Sequence, residues 1–211
     1  MFYYITETFH RRYLRGDYIY DDDSVEKTCP KCGTYPDPPP WESDVYDVIE
    51  LYKGNHLSDI LWGTKIICIN KRAKEIFENE NITGFQLHKV TIAKDERPIA
   101  DRKKLDISEI KNYYRIIIQG PSTGTNFKKT GFYMNYPGCK ICGREEIKRI
   151  NKDKNNYIDA SRWNGNDLFY AEYCGEMTFC TERVVQIFMK YKIKYAEFEE
   201  IKHVGRIPKI T

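Results

Sequence analysis

The sequence predicts an α+β fold with two related strand–helix–strand units, mostly antiparallel sheet, and a pair of cysteine knuckles that tie the units together. Three observations support this prediction. Two segments repeat the same succession of residue types, each segment passes from a strand pattern to a helix pattern and back, and two Cys-x-x-Cys-Gly motifs occur among 211 residues. We expect residues 1–211 to form a single compact unit.

The internal repeat covers residues 58–90 and 166–201. Its first part, Ser58–Trp62, is echoed by Asn166–Tyr170. An offset of 111 residues then pairs Arg72 with Arg183, and the same offset holds along the following apolar positions. Duplication of one structural unit accounts for this pattern without any active site.

Each repeat contains one amphipathic helix. In the first, Asn70 is a suitable N-cap, and Ala73, Ile76 and Phe77 form an apolar stripe. In the second, Thr181 takes the cap position, and the stripe consists of Val184, Ile187, Phe188 and Tyr191. Alternating or β-rich runs around these helices and elsewhere predict strands at Phe2–Thr6, Val45–Tyr52, Lys65–Ile69, Gly84–Val90, Tyr113–Gln119, Met177–Cys180 and Ala196–Ile201.

The cysteine knuckles occupy residues 29–33 and 139–143. They supply four thiols, from Cys29, Cys32, Cys139 and Cys142, which is a complete ligand set for a tetrahedral structural zinc. Because all four positions would be filled by sulfur, such a metal has no open site for catalysis. We therefore expect a zinc ion, or an iron ion in the same thiolate set, that joins the start of the chain to its middle.

Two other interpretations of the knuckles stay open. Cysteines in this spacing also form disulfides or redox dithiols, and they also occur as reduced, metal-free thiols. A second copy of the motif argues against a lone redox site. Cys68, Cys174 and Cys180 lie in or beside apolar segments and are expected to be buried and inert.

Charge and composition limit the choice of partner. The net charge is +3, but residues 21–50 carry nine acids against two bases, and residues 71–150 carry seventeen bases against ten acids. This uneven distribution suits ordinary solvated surface or a two-signed docking surface. No run reaches the length of a membrane span, and the first residues lack a secretory signal pattern, so we expect a cytoplasmic protein with no membrane contact.

Catalytic motifs are weak. The loop Gly120–Thr125 lacks the spacing and the Gly-Lys-Ser/Thr of a P-loop. Asp167 is a candidate catalytic acid, but Asp59 holds the same place in the first repeat, which favours capping of backbone amides. We therefore expect no enzymatic activity. A nucleic-acid-binding module is the alternative, with Arg102–Lys104 and Lys148–Arg149 on phosphates and tyrosines stacking on bases.

The chain resembles the double-CXXCG motif proteins, a family first grouped as a set of myxobacterial paralogues. The likeness rests on Cys29–Gly33, Cys139–Gly143, Trp163–Phe169, Thr181–Val184 and Ala196–Phe198, so it extends from residue 29 almost to residue 211. The doubled knuckle is its most specific part. Where the family pattern has Asp-Gly-Ser/Thr-Asp, this chain has Asn-Gly-Asn-Asp at residues 164–167.

The resemblance implies a binding function. Members of this family resemble immunity proteins, which protect a cell from a toxin delivered by its kin. We therefore expect the chain to neutralise a cognate bacterial toxin by direct protein contact, with a structural zinc supporting a rigid surface. For a basic toxin, the expected contact surface is the acidic stretch around Asp21, Asp22, Asp23 and Glu26.

Overall fold

The protein is an α+β structure built mostly of strands, as the sequence predicts. The computed structural model describes residues 1–7, 12–19, 29–31, 47–63, 66–120, 123–125, 127–130, 132–136, 139–141, 146–149, 158–172, 174 and 177–204. All statements below concern these residues. The acidic residues at positions 21–26 and the cysteines at positions 32 and 142 lie outside them.

The elements of the described residues alternate between sheet and helix. The strands are β1 Phe2–Glu7, β2 Arg15–Tyr18, β3 Val48–Lys53, β4 Ile60–Trp62, β5 Ile67–Asn70, β6 Phe85–Lys89, β7 Thr91–Asp95, β8 Tyr113–Ile118, β9 Phe132–Tyr136, β10 Glu146–Arg149, β11 Ile158–Asp159, β12 Leu168–Phe169, β13 Phe179–Thr181, β14 Ala196–Ile201 and β15 His203–Val204. The helices are α1 Lys71–Asn79, α2 Ile99–Arg102, α3 Phe127–Thr130 and α4 Glu182–Tyr191, with 3₁₀ turns at Ile107–Glu109 and Ala160–Arg162.

Two main sheets organise these strands. The larger has seven strands in the order β6-β8-β5-β4-β2-β3-β7, and the smaller has four in the order β12-β13-β1-β14. Most neighbouring pairs are antiparallel, but β2–β4 and β3–β7 are parallel. In addition, β9 and β10 form an antiparallel pair, and β11 pairs with β15 in parallel.

The two sheets have the same strand order when the chain is shifted by 111 residues. The run β14-β1-β13-β12 of one sheet corresponds to β6-β8-β5-β4 of the other. The registers agree as well. Phe2 lies opposite Thr181 as Tyr113 lies opposite Asn70, and Glu7 lies opposite Ala196 as Ile118 lies opposite Phe85.

The correspondence continues towards the far edge of each sheet. Isolated bridges join Thr123 to Ala171 in parallel and Thr125 to Ile158 in antiparallel orientation. These bridges stand where β2 contacts β4 and β3 in the larger sheet. The parallel pair β11–β15 stands where β3 meets β7. The chain therefore divides into a first half, β1 to β7, and a second half, β8 to β15, with matching topology.

The two halves exchange one strand each. β1 belongs to the first half but lies between β13 and β14 of the second, whereas β8 of the second half lies between β5 and β6 of the first. Each exchanged strand has ladder partners on both sides. The halves are thus interlocked through their backbones, and each sheet is complete only when both are present.

The helices of the two repeats meet in the main core. α1 buries Ala73, Ile76 and Phe77, and α4 buries four side chains that include Ile187 and Phe188. The rings of Phe77 and Phe188 lie 5.8 Å apart across the seam between the halves. Burying an aromatic or branched aliphatic side chain stabilises a fold by roughly 1.5–3 kcal/mol, so this shared core holds the halves together strongly.

The predicted helix caps differ in detail. Asn70 caps α1, since its side-chain oxygen accepts from the amide of Ala73 at 2.9 Å. Thr181 takes the N-cap position of α4 but makes no capping hydrogen bond. Its hydroxyl donates instead to the Oδ1 atom of Asp167 at 2.9 Å. The prediction of a side-chain cap is therefore right for the first helix and wrong for the second.

Candidate metal centre and the seam between the halves

Cys29 and Cys139 come together although 110 residues separate them in the chain. Their Sγ atoms lie 3.7 Å apart. Both side chains are buried, with 6% and 4% of their surface exposed, and neither takes part in a disulfide. One thiol from each sequence-predicted knuckle therefore reaches the same point.

The distance between the two sulfurs discriminates between kinds of site. A disulfide requires about 2.05 Å between its sulfur atoms. Two thiolates on one tetrahedral zinc, each about 2.3 Å from the metal, lie about 3.8 Å apart. The observed 3.7 Å between Cys29 and Cys139 fits the edge of a metal–sulfur tetrahedron.

The second knuckle stands in the connection of a hairpin. β9 and β10 pair in antiparallel orientation, and Cys139–Ile141 lies between them. Cys32 and Cys142 lie outside the described residues, and within those residues no group of three His, Cys, Asp or Glu side chains gathers around a metal position. The structure thus brings two of the four predicted ligands together and leaves the other two untested.

The donor chemistry of this pair fits a soft metal. Thiolates select zinc and iron over magnesium or calcium. With Cys32 and Cys142, the pair Cys29 and Cys139 would hold zinc in a closed site, and the metal would supply a cross-link between the halves.

The other described cysteines are buried, as their apolar surroundings predict. Cys68, Cys174 and Cys180 expose at most 7% of their surface. Burial raises the pKa of the Cys68 thiol to about 12, and the nearby guanidinium of Arg115 opposes this shift only in part. Burial also raises the pKa of Cys180, with a smaller contribution from the carboxylate of Asp167. These thiols stay protonated and therefore unreactive near neutral pH.

Asp167, the candidate catalytic acid, is fully engaged in the structure of the seam. Its Oδ2 atom accepts from the amide of Thr83 at 3.1 Å and from Nη1 of Arg183 at 2.5 Å. Its Oδ1 atom accepts from the hydroxyl of Thr181. Arg183 also donates to the carbonyls of Glu80 and Asn81, which end α1 of the other half.

Asp59 makes the equivalent contacts in the opposite direction. Its Oδ2 atom accepts from Nη1 of Arg72 at 2.9 Å and from the amide of Lys194 at 3.4 Å. Arg72 also donates, at 2.5 Å, to the carbonyl of Tyr191, which ends α4. We call these two arrangements, Asp59–Arg72 and Asp167–Arg183, the seam clasps.

The seam clasps have a simple physical purpose. The C-terminus of a helix carries unpaired carbonyls and a partial negative charge, which a guanidinium satisfies. Each arginine is held in place by the aspartate of its own repeat and binds the helix end of the other repeat. The predicted role of the paired aspartates, acceptance of backbone amides, is confirmed, and the amides belong to the opposite half.

A polar cluster beneath the larger sheet escaped sequence analysis. Arg115 on β8 is 3% exposed, and its Nε atom donates to Asp47 at 2.7 Å. The other carboxylate oxygen of Asp47 lies 2.9 Å from Nδ1 of His88 on β6. The signal was available, since an arginine interrupts the apolar run Tyr113–Ile118 and a buried guanidinium needs an acidic partner.

A cavity of about 300 Å³ lies on the seam. Equivalent positions of the two halves form its walls, with Trp62 matching Tyr170 and Ile116 matching Ile5. The symmetry is broken by Glu7, which stands where the other half has Ile118 and forms an ion pair with Arg15. The indole of Trp62 donates to the carbonyl of Tyr195 at 2.6 Å, so its edge is already used in joining the halves.

Comparison with protein-family models and with curated proteins finds no match to the chain. The family resemblance of the cysteine knuckles therefore stays a prediction. Among the described residues, none of the helices has the length and apolar character needed to cross a membrane.

Proposed function

We propose that the chain is an immunity-type protein that neutralises a cognate bacterial toxin by direct contact, with one structural zinc held by Cys29, Cys32, Cys139 and Cys142. The observation that supports the metal most directly is the 3.7 Å distance between the Cys29 and Cys139 sulfurs. The toxin partner rests on the family resemblance of the doubled knuckle.

The internal architecture favours a binding protein over an enzyme. A protein that inhibits by contact needs a rigid surface, because ordering a mobile surface on binding weakens affinity. The exchanged strands and the seam clasps provide that rigidity. The acid that sequence analysis offered for catalysis, Asp167, is occupied by Thr83, Thr181 and Arg183.

The proposed contact surface is the acidic stretch beside the first knuckle. Of its nine acids, the described Asp47 is used internally by Arg115 and His88. The contact therefore rests on Asp21, Asp22, Asp23 and Glu26. A basic toxin would be steered to these carboxylates by long-range attraction.

Metal analysis tests the proposed zinc site. We expect about one zinc per purified chain. Substitutions Cys29→Ser and Cys142→Ser are expected to abolish metal binding, whereas Cys68→Ser, at a buried cysteine outside the knuckles, should leave it intact. A disulfide between Cys29 and Cys139, detected by mass spectrometry of native protein, would contradict the site.

Co-expression tests the proposed partner. The gene next to that of an immunity protein usually encodes its toxin, so the product of the neighbouring gene is the first candidate. Cells that carry both genes should grow, and cells that carry the neighbour alone should not. Charge reversal at Asp21, Asp22, Asp23 and Glu26 together should reduce protection, whereas reversal of Glu197 and Glu199 on β14 serves as the matched acidic control.

One observation supports the alternative of a zinc-stabilised nucleic-acid-binding module. Arg102, Lys103 and Lys104 follow one another at the end of α2, and all three are exposed. Phosphate contacts of this kind weaken with salt in proportion to their number. Retention on DNA at moderate salt that disappears in the triple Ala variant would favour this alternative, and failure to bind would remove it.

A further inference from the structure

β1 is a separate docking element in the architecture of the protein. Every ladder partner of β1 lies in the second half of the chain, three residues in β13 and six in β14. The first half, to which β1 belongs by sequence, pairs none of its described strands with it. The second sheet therefore contains a slot that accepts a strand from elsewhere.

The slot binds β1 through side chains as well as through the backbone. Phe2 is 1% exposed and packs edge-on against the rings of Trp163 and Phe169, both at 5.4 Å. Ile5 is 7% exposed and joins the core shared by α1 and α4. Two buried anchors on opposite faces thus fix the register of the strand.

The link between β1 and its own half is short. The carbonyl of Arg12 accepts from the amides of Asn55 and His56, so the chain is again part of the first half five residues after Glu7. A link of this length spans at most about 18 Å. No interaction inside the slot depends on which copy of the chain supplies that link.

We propose that this slot also binds the β1 strand of a second copy of the chain, giving a strand-exchanged dimer. The contacts of β1 with β13 and β14 would be the same in the monomer and the dimer. The difference lies in the covalent link, which gives the chain's own strand an effective concentration in the millimolar range. Exchange should therefore occur when the chain refolds at comparable concentration, and the dilute protein should stay monomeric.

A refolding experiment on the full chain tests this proposal. The zinc-loaded protein is unfolded and refolded at about 10 µM and at about 1 mM, and its mass is measured by light scattering after size-exclusion chromatography. We expect the dimer fraction to be several-fold higher after refolding at the higher concentration. A monomer at both concentrations would overturn the proposal.

A cross-link identifies the surface that forms the dimer. Thr6 on β1 lies opposite Glu197 on β14, so Thr6→Cys with Glu197→Cys places two thiols across the slot. After refolding under reducing conditions and later oxidation, exchanged dimers should carry disulfides between chains. Dimers with disulfides only within each chain would place the contact elsewhere and also overturn the proposal.

Matched variants control for background cross-linking. Thr6→Cys with Glu199→Cys places the second thiol opposite Tyr4, out of register with Thr6, and should cross-link several-fold less. Thr6→Cys alone reports any reaction with native cysteines. The outcome is independent of the proposed immunity function, because no toxin is present.

Discussion

At the residue scale, charged side chains inside the protein are bound in pairs with defined partners. Arg97 has no exposed side-chain surface, yet it donates to both carboxylate oxygens of Asp95 and to the carbonyls of Gly54 and Leu105. A buried guanidinium without such partners is strongly destabilising. Sequence analysis finds the seam aspartates because they repeat, whereas nothing in the local sequence distinguishes Arg97 from an exposed arginine.

The seam clasps give a prediction about stability. Asp167→Ala removes the acceptor for the Thr83 amide and the Thr181 hydroxyl, and it leaves Arg183 without its carboxylate. Unsatisfied buried polar groups cost about 1–3 kcal/mol each, so we expect a loss of about 3 kcal/mol in the free energy of unfolding. Urea titration measures it. Glu197→Ala, on the exposed face of β14, is the control and should change the unfolding free energy by less than about 0.5 kcal/mol.

Asp95 gives a prediction about pH. Hydrogen bonds from Arg97 lower the pKa of Asp95 in the folded protein, and partial burial opposes this effect. A depressed folded pKa contributes stability that is fully present above the unfolded pKa of about 4 and is lost as pH falls through the lower folded value. The unfolding free energy of Asp95→Asn should therefore lack this acid-dependent component between about pH 4 and pH 2. Parallel pH profiles for the two proteins would contradict the assignment.

At the element scale, each repeat uses the same positions for different local devices. The helices α1 and α4 end alike, with Asn81 and Lys192 both in the left-handed region and Ile82 and Ile193 donating back to a phenylalanine carbonyl. Their beginnings differ, because the Asn70 side chain caps its helix and Thr181 turns to Asp167. Propensity places a cap residue at both positions but does not determine which acceptor a threonine hydroxyl will choose.

The two caps should respond differently to mutation. Asn70→Ala removes the hydrogen bond to the Ala73 amide and is expected to lower the unfolding free energy by about 1 kcal/mol. Asn70→Ser should recover most of that loss, since serine also caps. At Thr181, serine keeps the hydroxyl for Asp167 while Thr181→Val removes it, so only the valine variant should destabilise. Thermal unfolding of the four variants separates the two mechanisms.

The strands show how far the sequence alone leads. Alternation and β-rich runs predict the sites of β1, β3, β5, β6, β8, β13 and β14 to within a few residues. The match between β1 and β8 was also readable, since Phe2 and Tyr113 begin similar runs at the 111-residue offset, and the knuckles recur at 110. The exchange of these two strands was not readable. Either slot suits either strand, and the choice depends on how the connections run in space.

At the scale of the whole molecule, the exchange changes the expected role of the metal. The sequence suggests that zinc fixes the architecture by joining distant parts of the chain. In the structure, the halves already share strands, a helix core and two seam clasps. The proposed zinc would therefore stabilise the region of the knuckles more than the sheets.

Chelation tests this view of the metal. Removing zinc should increase hydrogen exchange of amides around residues 29–31 and in β9 and β10, because the hairpin loses its tether. Protection in β1, β8, α1 and α4 should change by less than about tenfold, since their contacts contain no metal ligand. Global loss of protection on chelation would show instead that the cross-link supports the entire fold.

The pairing of β1 with β14 also has a consequence for synthesis on the ribosome. β1 emerges first, but its partner strand ends 194 residues after Glu7, at Ile201. At roughly 5–20 residues per second, translation leaves Phe2 and Ile5 without their native neighbours for about 10–40 seconds. The nascent chain thus carries an unpaired apolar strand through almost all of its translation, a period in which chaperones have the opportunity to bind it.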